Sequence, residues 1–406
     1  MTTPARPVAA ASWAESMFTF GVTGTNGKTS TTHLIAAAVM AAGHSTLRVG
    51  TVGVVLDDQP LARGKTFQDF LATMRTAAER GCRHAAIEAT SQGLAQGYAR
   101  AWRFDLGVFT NLSPDHFTTH GSWEHYLAAK AQLFVHLGPG RTAVLNAADQ
   151  HALFIDQATP ADVIRRWFAA PSRGPKLREA DLEASTVELD PAGTTIELCP
   201  SPAAEQLGGR LRTKMVGAVF GENALAAALA ALAAGIPGDA VVRGIASCLV
   251  VPGRFEVLDH GDDRPTVVVD YAHSPDALAH TCASARQLAR GRVIVVFGAG
   301  GGSTPEKREP MGEIVGAAAE LAIVTNDNPR DEDPRAIAAM LEAGLLRAGR
   351  AQVVIELDRK RAIARALEQA VAGDVVVIAG KGHERGQQLR GRTLPFSDVD
   401  VVRELL

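Results

Sequence analysis

The sequence predicts an α/β protein of two domains, residues 1–251 and 252–406. Three features of the chain predict it. Short β-branched runs alternate with alanine- and leucine-rich stretches, the pattern of a parallel sheet covered by helices on both faces. One alternation, Phe18 to Gly43, carries a glycine-punctuated turn that ends in Lys28-Thr29. Near Ala184 the pattern changes to period-two runs, and beyond Val251 the alternation restarts. The expected architecture is a central phosphate-loop domain, with a parallel sheet plus a small antiparallel sheet, followed by a Rossmann-like C-terminal domain.

Composition narrows the class. The chain has 406 residues, 46% hydrophobic and 21% charged, which is enough for two cores. A net charge of −3 gives no footprint of a nucleic-acid binder. No long uncharged apolar run predicts a membrane span, and the N-terminus lacks the apolar core of a signal peptide. Cys82, Cys199, Cys248 and Cys282 lie far apart at no metal spacing, so buried thiols in a reducing cytoplasm are expected.

Taken in order, Phe18–Gly21 reads as a strand and the residues after Gly27 as a helix ending near Gly43. Between them, Gly24, Thr25, Asn26, Gly27, Lys28, Thr29 and Ser30 form a phosphate loop one step shorter than GxxxxGK[ST], because Val22 stands where the first glycine would fall. Gly24 and Gly27 free backbone N–H groups for phosphate, Lys28 adds a cation, and Thr29 a hydroxyl for Mg²⁺. A polar loop is expected around Asp57–Lys65, a helix over Phe67–Gly81, and a buried strand delivering Glu88 to its carboxyl end. Leu106–Thr110 is a strand whose following loop carries Asp115 and His116, and Ser122 is an N-cap candidate for the next helix. Asp190-Pro-Ala-Gly193 joins two alternating runs as a hairpin. Gly221–Gly235 is an alanine-leucine helix, and Val251–Asp259 a domain seam. In the second domain, strand-ending loops carry His273, Lys307, Asp327, Arg330, Lys381, His383 and Glu384.

Read by residue type, several of these admit two roles. Glu88 and His116 suit Mg²⁺ beside phosphates, or serve as a structural hydrogen-bonder and a cap. Lys130 on an alanine-rich helix defaults to a solvated lysine. Arg254 is a seam salt bridge or a phosphate clamp, and Asp270 and His273 cap a strand end or join that site. Gly298–Ser303 invites a dinucleotide reading, but the third glycine falls at Ser303, so a polar pocket loop is expected. Asp327-Asn-Pro-Arg330 is a turn with a helix start at Pro329–Asp331, or a mixed-charge site for a zwitterionic amino acid. The four tryptophans read as packing.

Seven ordered segments, Gly21–Ser30, Glu88–Leu94, Phe109–Phe134, Pro252–Glu256, Val267–Leu278, Thr325–Arg330 and Ala379–Glu384, resemble the Mur ligase family, nearest its branch that makes UDP-N-acetylmuramoyl-tripeptide. The resemblance implies an ATP-dependent, ADP-forming amide ligase: ATP phosphorylates a carboxylate, and an amino group attacks the acyl phosphate. It implies that Lys28 and Thr29 serve the phosphates and a first Mg²⁺, and that Glu88 and His116 serve a second. Lys130 matches the family's carbamylated lysine, near the metal. Asn223 matches a residue near adenine, and Arg254, Asp270 and His273 match ATP-closing residues. Ser91 falls in the acceptor segment, while Asp327, Asn328, Arg330, Gly380 and Glu384 match positions that hold the incoming amino acid. An arginine in DNPR is the branch's pattern for meso-diaminopimelate.

Departures from the pattern shape the functional expectation. The branch has a uridine-nucleotide-binding domain ahead of the phosphate loop, and here the first strand begins at Phe18. Gly64-Lys65-Thr66-Phe67 replaces a Thr-Thr pair, Gly97-Tyr98 replaces His-Arg, and the arginine of the glycine-rich loop is replaced near Ser303. The leading expectation is therefore a cytoplasmic ligase that joins an amino acid, of the diamino class, to a small or peptidyl carboxylate other than a UDP-sugar, suited to natural-product assembly. One alternative is the peptidoglycan tripeptide synthetase, with uridine recognition supplied by a partner protein or by the substrate's peptide. Another is a non-catalytic nucleotide-binding regulatory subunit.

Overall fold

The computed structural model describes residues 12–62, 64, 66–113, 121–302 and 304–406. The chain divides into two compact units, the first built mainly from residues up to 249 and the second mainly from 250–406.

The first unit is organised on one sheet whose described strands are β1 (Phe18–Thr23), β2 (Thr46–Gly50), β3 (Gly53–Leu56), β4 (Gln59–Leu61), β5 (His84–Glu88), β6 (Leu106–Phe109), β7 (Thr142–Asn146), β8 (Ile164–Ala169), β9 (Leu182–Asp190), β10 (Gly193–Leu198) and β11 (Arg210–Thr213). Their order is β11-β10-β9-β8-β7-β6-β1-β5-β2-β3-β4, so β1 lies near the middle. Phe20 and Val22 of β1 are fully buried, as are Leu106 and Val108 of β6. That explains why these runs are apolar throughout rather than alternating. Register then sets the site: Val22 pairs with Glu88 of β5, and Thr23 with Phe109 of β6, so three carboxyl ends finish level. β2 runs parallel to β5, with Val49 opposite Ile87, which brings Gly50 and Thr51 to the same rim.

The two edges fare differently against expectation. The period-two segment pairs antiparallel as expected, β10 with β11, and joins the large sheet through a parallel β8–β9 pairing. At the opposite edge, the stretch expected as a polar loop contains β4, which completes a meander with β2 and β3. The Asp190–Gly193 turn forms as expected, with the Asp190 carboxylate accepting the Ala192 N–H at 2.7 Å.

In the second unit, β12 (Glu256–Gly261), β13 (Arg264–Asp270), β14 (Val293–Phe297), β15 (Leu321–Val324), β16 (Gln352–Ile355) and β17 (Val375–Ala379) form a sheet of order β12-β13-β17-β14-β15-β16. Asp270 pairs with Ala379, and Phe297 with Val324, so the loops after β13, β17, β14 and β15 leave one edge together. A hairpin of β18 (Gly386–Leu389) and β19 (Arg392–Pro395) follows, turning at Arg390-Gly391, and was not among the expected elements. The helix after DNPR starts at Pro334 with Asp333 as its cap, not at Pro329–Asp331. Cys82, Cys248 and Cys282 are buried free thiols, and Cys199 is only half-buried. Among the described residues no helix is long and apolar enough to cross a membrane.

Candidate nucleotide and amino-acid sites

Gly24 and Gly27 make the loop after β1 possible. Their φ values are +150° and +86°, and a Cβ would meet Thr110 Oγ1 at 1.9 Å in the first case and Asn223 Oδ1 at 2.3 Å in the second. Neutral hydrogen bonds hold one side of the loop. Asn111 Oδ1 accepts the Asn26 N–H at 2.9 Å, while Thr110 Oγ1 donates to the Asn26 carbonyl at 2.6 Å. Thr25 N–H donates to the Asn111 carbonyl at 2.9 Å, and its hydroxyl accepts the Ser113 N–H at 3.0 Å and lies 3.2 Å from the Tyr126 hydroxyl. Thr29 and Ser30 follow in the first turn of the helix Lys28–Ala41, both buried. Backbone N–H groups at that turn form an anion seat.

Two ammonium groups converge on the Gly24 carbonyl: Lys28 Nζ at 2.9 Å and Lys130 Nζ at 2.7 Å. Lys28 also donates to the Thr25 carbonyl at 2.7 Å. Lys130 is 1% exposed and stacks 4.3 Å over the Tyr126 ring, so the default reading of a solvated lysine is overturned. Its helix, Trp123–Val135, is capped by Ser122, whose hydroxyl accepts the His125 N–H as expected.

Glu88 is a buried carboxylate whose described hydrogen bonds come from Thr51, through N–H at 3.2 Å and hydroxyl at 3.2 Å. Thr51 Oγ1 in turn lies 3.5 Å from Thr29 Oγ1. A buried carboxylate linked to threonine hydroxyls is an oxygen-donor set of the kind Mg²⁺ takes. His116 and Asp115 lie outside the described residues. Among those described, no group of three or more His, Cys, Asp or Glu side chains forms a metal cluster. Ser91 opens a short helix, Ser91–Ala95, capped by Thr90.

Beside Glu88 the first unit contains a chamber of about 210 Å³. Phe67, Phe70, Leu94, Tyr98, Trp102 and Phe104 line its body, and Thr51, Glu88 and Thr90 its polar end. Trp102 packs in the core, as expected of the tryptophans, and one side of it also borders this chamber. Gly64, Thr66, Gly93 and Tyr98, from segments where the sequence departs from the family pattern, also border it.

The second unit carries a contrasting site. Asp327 is 6% exposed and its Oδ2 has no hydrogen-bond partner. Gly380, at φ +119°, approaches it so closely that a Cβ would meet Asp327 Oδ2 at 2.3 Å. Asn328 donates to Glu384 at 2.8 Å, and the fully buried Lys381 ammonium donates to both Glu384 (2.8 Å) and Asn328 Oδ1 (3.0 Å). Burial raises the Glu384 pKa, but the bonds from Lys381 and Asn328 outweigh it and hold the carboxyl below its ordinary value. Arg330 bonds Gln388 Oε1 at 3.1 Å and the Gly301 carbonyl, with a backbone φ of +53°. Beneath these loops, Arg359 and Asp398 form a fully buried pair at 2.7 and 2.8 Å. The guanidinium also donates to the carbonyls of Asn326 (3.2 Å) and Ala379 (2.9 Å), the residues just before Asp327 and Gly380.

Asp270 accepts N–H groups of Phe255 (2.5 Å) and Ala272 (2.6 Å), and burial pushes its carboxyl upward against the attraction of Arg254. Arg254 stacks 4.6 Å over Tyr271, and its buried Nε has no hydrogen-bond partner. His273 Nδ1 lies 2.7 Å from the Tyr271 carbonyl. The seam salt bridge is replaced by stacking, and Arg254 is the side of this cluster with hydrogen-bonding capacity to spare.

The Mur ligase middle domain matches residues 22–231, and the Mur ligase glutamate ligase domain matches 253–382. This chain belongs to the Mur ligase family. It is an ATP-dependent amide ligase of the ADP-forming kind, and Mur ligases use ATP and Mg²⁺. Among its relatives, the UDP-N-acetylmuramoyl-L-alanyl-D-glutamate--2,6-diaminopimelate ligase of Aquifex aeolicus is 37% identical over 97% of this chain and 78% of its own length. The protein of that title from Halalkalibacterium halodurans is 39% identical over 95% and 77%. A solved structure with the same title superposes with a TM-score of 0.65 at 33% identity, covering 96% of this chain and 78% of that one. A folylpolyglutamate synthase of Mycobacterium tuberculosis shares the fold, with a TM-score of 0.72 at 20% identity.

Sequence reasoning missed the supports of this Mur ligase: Thr51, Thr110, Asn111 and Tyr126 in the first unit, and in the second Arg359, Gln388 and Gln387, whose amide donates to the Asp327 carbonyl at 2.9 Å. Thr110, Asn111 and Tyr126 lie within the family-like segment Phe109–Phe134 and were readable there. Arg359 was not, because a charged residue at a helix start looks like solvent chemistry until burial is known.

Proposed function

We propose that this ligase activates the D-glutamyl carboxylate of UDP-N-acetylmuramoyl-L-alanyl-D-glutamate and joins it to 2,6-diaminopimelate. What supports this over the acceptor expected first is the identity of 37–39%, across nearly the whole chain, with proteins bearing that title. The mixed charges of Asp327, Arg330 and Glu384 agree with a substrate carrying both ammonium and carboxylate groups.

In this reading a carboxylate oxygen attacks the γ-phosphorus, the bond to the β–γ bridging oxygen breaks, and ADP leaves. The amine then attacks the acyl carbon, the C–O bond to phosphate breaks, and the amine's proton passes to solvent. Lys28, the backbone of Gly24–Ser30 and the helix N-terminus neutralise phosphoryl charge, and Asn223 borders the base side. Arg254, with Asp270 and His273 around it, is the second unit's cation for phosphate. Thr29, Glu88 and His116 would hold Mg²⁺, which supplies charge neutralisation at the phosphoryl oxygens. A carbamate on the buried Lys130 would turn two ammonium groups at one carbonyl, its own and that of the half-buried Lys28, into an attraction. Asp327, Asn328, Arg330, Gly380 and Glu384 orient the amino acid, and Ser91 meets the acceptor.

The test is ADP release with the muramoyl dipeptide, ATP and Mg²⁺, with and without diaminopimelate, and the product's mass. Diaminopimelate-dependent turnover is expected, and its absence would sink the reading. A second reading, an acceptor that is not a UDP-sugar, has one specific observation in its favour: the apolar lining of the chamber beside Glu88.

A further inference from the structure

Arg359, Lys381 and Arg330 all serve the loops after β15 and β17, but they differ in what balances their charge. Arg359 is matched by Asp398, and Lys381 by Glu384. Arg330 is held by neutral acceptors instead: its Nε donates to Gln388 Oε1 at 3.1 Å, and its Nη1 to the Gly301 carbonyl. Glu332, the acid two positions on, is committed elsewhere, accepting the Gly302 N–H at 2.6 Å and Arg308 at 2.8 Å. Arg330 is thus oriented without being neutralised.

Gln388 can do this because β18 docks along the loop. Its carbonyl accepts the Arg330 N–H at 3.1 Å, and its own N–H donates to Asn328 Oδ1 at 2.9 Å. A guanidinium only donates, so the Gln388 amide has to present its oxygen. That bond occupies the Nε side of the group. Among the described residues Nη2 has no hydrogen-bond partner, so the Nη1–Nη2 edge keeps donors for a carboxylate held by two parallel bonds.

We propose that Gln388 is a positioning residue for amino-acid binding: its neutral oxygen aims Arg330 and leaves the positive charge to a carboxylate of the incoming amino acid. This rests on the reading in which Arg330 meets diaminopimelate. A carboxylate at position 388 would grip the guanidinium more firmly, yet cancel the charge the substrate needs.

A purely structural role and a charge-preserving one rank two substitutions oppositely. Gln388→Glu keeps the oxygen and tightens the bond, whereas Gln388→Met removes the acceptor at similar length. If Gln388 only held Arg330 in shape, Gln388→Glu would be the milder change; here it is expected to be the more severe. The assay is ADP release from ATP and Mg²⁺ with the muramoyl dipeptide, titrating diaminopimelate. It is run on the full chain, both Gln388 variants, Arg330→Met, and Arg330→Met combined with Gln388→Glu, with melting temperatures as the check on folding. The diaminopimelate KM is expected to rise about tenfold in Gln388→Glu, the scale of one charge-assisted hydrogen bond, and about threefold in Gln388→Met. The ATP KM and kcat should stay nearly unmoved. With Arg330→Met already present, Gln388→Glu should add nothing further, because the charge it cancels is gone.

A parent chain without diaminopimelate-dependent turnover sinks the proposed function, and this inference with it. Parent turnover with an unchanged KM in Arg330→Met takes Arg330 away from the amino acid, and Gln388 loses its role. If Arg330→Met raises the KM but Gln388→Glu is no worse than Gln388→Met, or is as harmful without Arg330, the inference alone is overturned and the proposed function stands.

Discussion

The phosphate loop and the proposed amino-acid loops are held by different means. Around Thr25 and Asn26 the supports are hydroxyls, amides and backbone groups, with the Lys28 and Lys130 ammonium groups on the Gly24 and Thr25 carbonyls and no carboxylate among them. Around Asp327 and Gly380 the supports are ion pairs, the fully buried Arg359 with Asp398 and the buried Lys381 with Glu384. A loop proposed to receive a polyanion gains from ties that bring no carboxylate to it, so neutral and cationic ties suit it. A site for a zwitterion needs both signs in place, and those signs must be tied down to be tolerated in the interior.

The sharpest way to break this contrast is to remove one partner of the buried pair. Arg359→Met alone is expected to lose about 3–5 kcal/mol in denaturant unfolding, because Asp398 is left buried and unpaired. Arg359→Met with Asp398→Leu should recover most of that stability while the amino-acid KM stays raised; equal loss in both variants would refute the pairing argument. In the first unit, Lys28→Met should leave the melting temperature nearly unchanged yet lower kcat about 10²–10³-fold in an ADP-release assay. Gly380→Ala forces a Cβ against Asp327 at a left-handed φ, and we expect a ten- to about a hundredfold rise in amino-acid KM with the ATP KM unmoved. A matched rise in both would show that the loop is not specific to the amino acid.

The smallest expected effect concerns pH. Because the Glu384 carboxyl is held below its ordinary value, it stays ionised as pH falls, and its contribution is lost only on passing through that depressed value. Amino-acid affinity should therefore hold from pH 8 down to about 5 as far as Glu384 is concerned, below which ordinary carboxylates begin to titrate. Lys381→Met should move the loss to higher pH, and an unmoved profile would remove Lys381 from its role.

Legibility in the sequence follows the same divide. The phosphate loop was readable because its donors are contiguous, and the strand–turn–helix order fixes where they point. Glu88 was readable as the last residue of a buried strand. Lys130 was not: only the fold shows that its helix face turns inward, onto Gly24 and Tyr126. The second site gathers residues 326–330, 359, 379–384 and 387–398, so its ties became visible only once the sheet had brought those segments together. The edge strands were missed for a related reason: β4 and the β18–β19 hairpin are short and exposed, and lack the apolar run that marks a central strand.

Arg330 holds its left-handed backbone because its N–H donates to the Gln388 carbonyl at 3.1 Å and its carbonyl accepts from Arg390 at 2.7 Å. The arginine proposed to orient the incoming amino acid thus borrows its shape from a ribbon nearly sixty positions downstream. Anyone transplanting the tetrapeptide into a cousin to retune its taste would have to move the ribbon as well. Natural lineages face the same tether, and the two pieces should travel as a single inherited cassette.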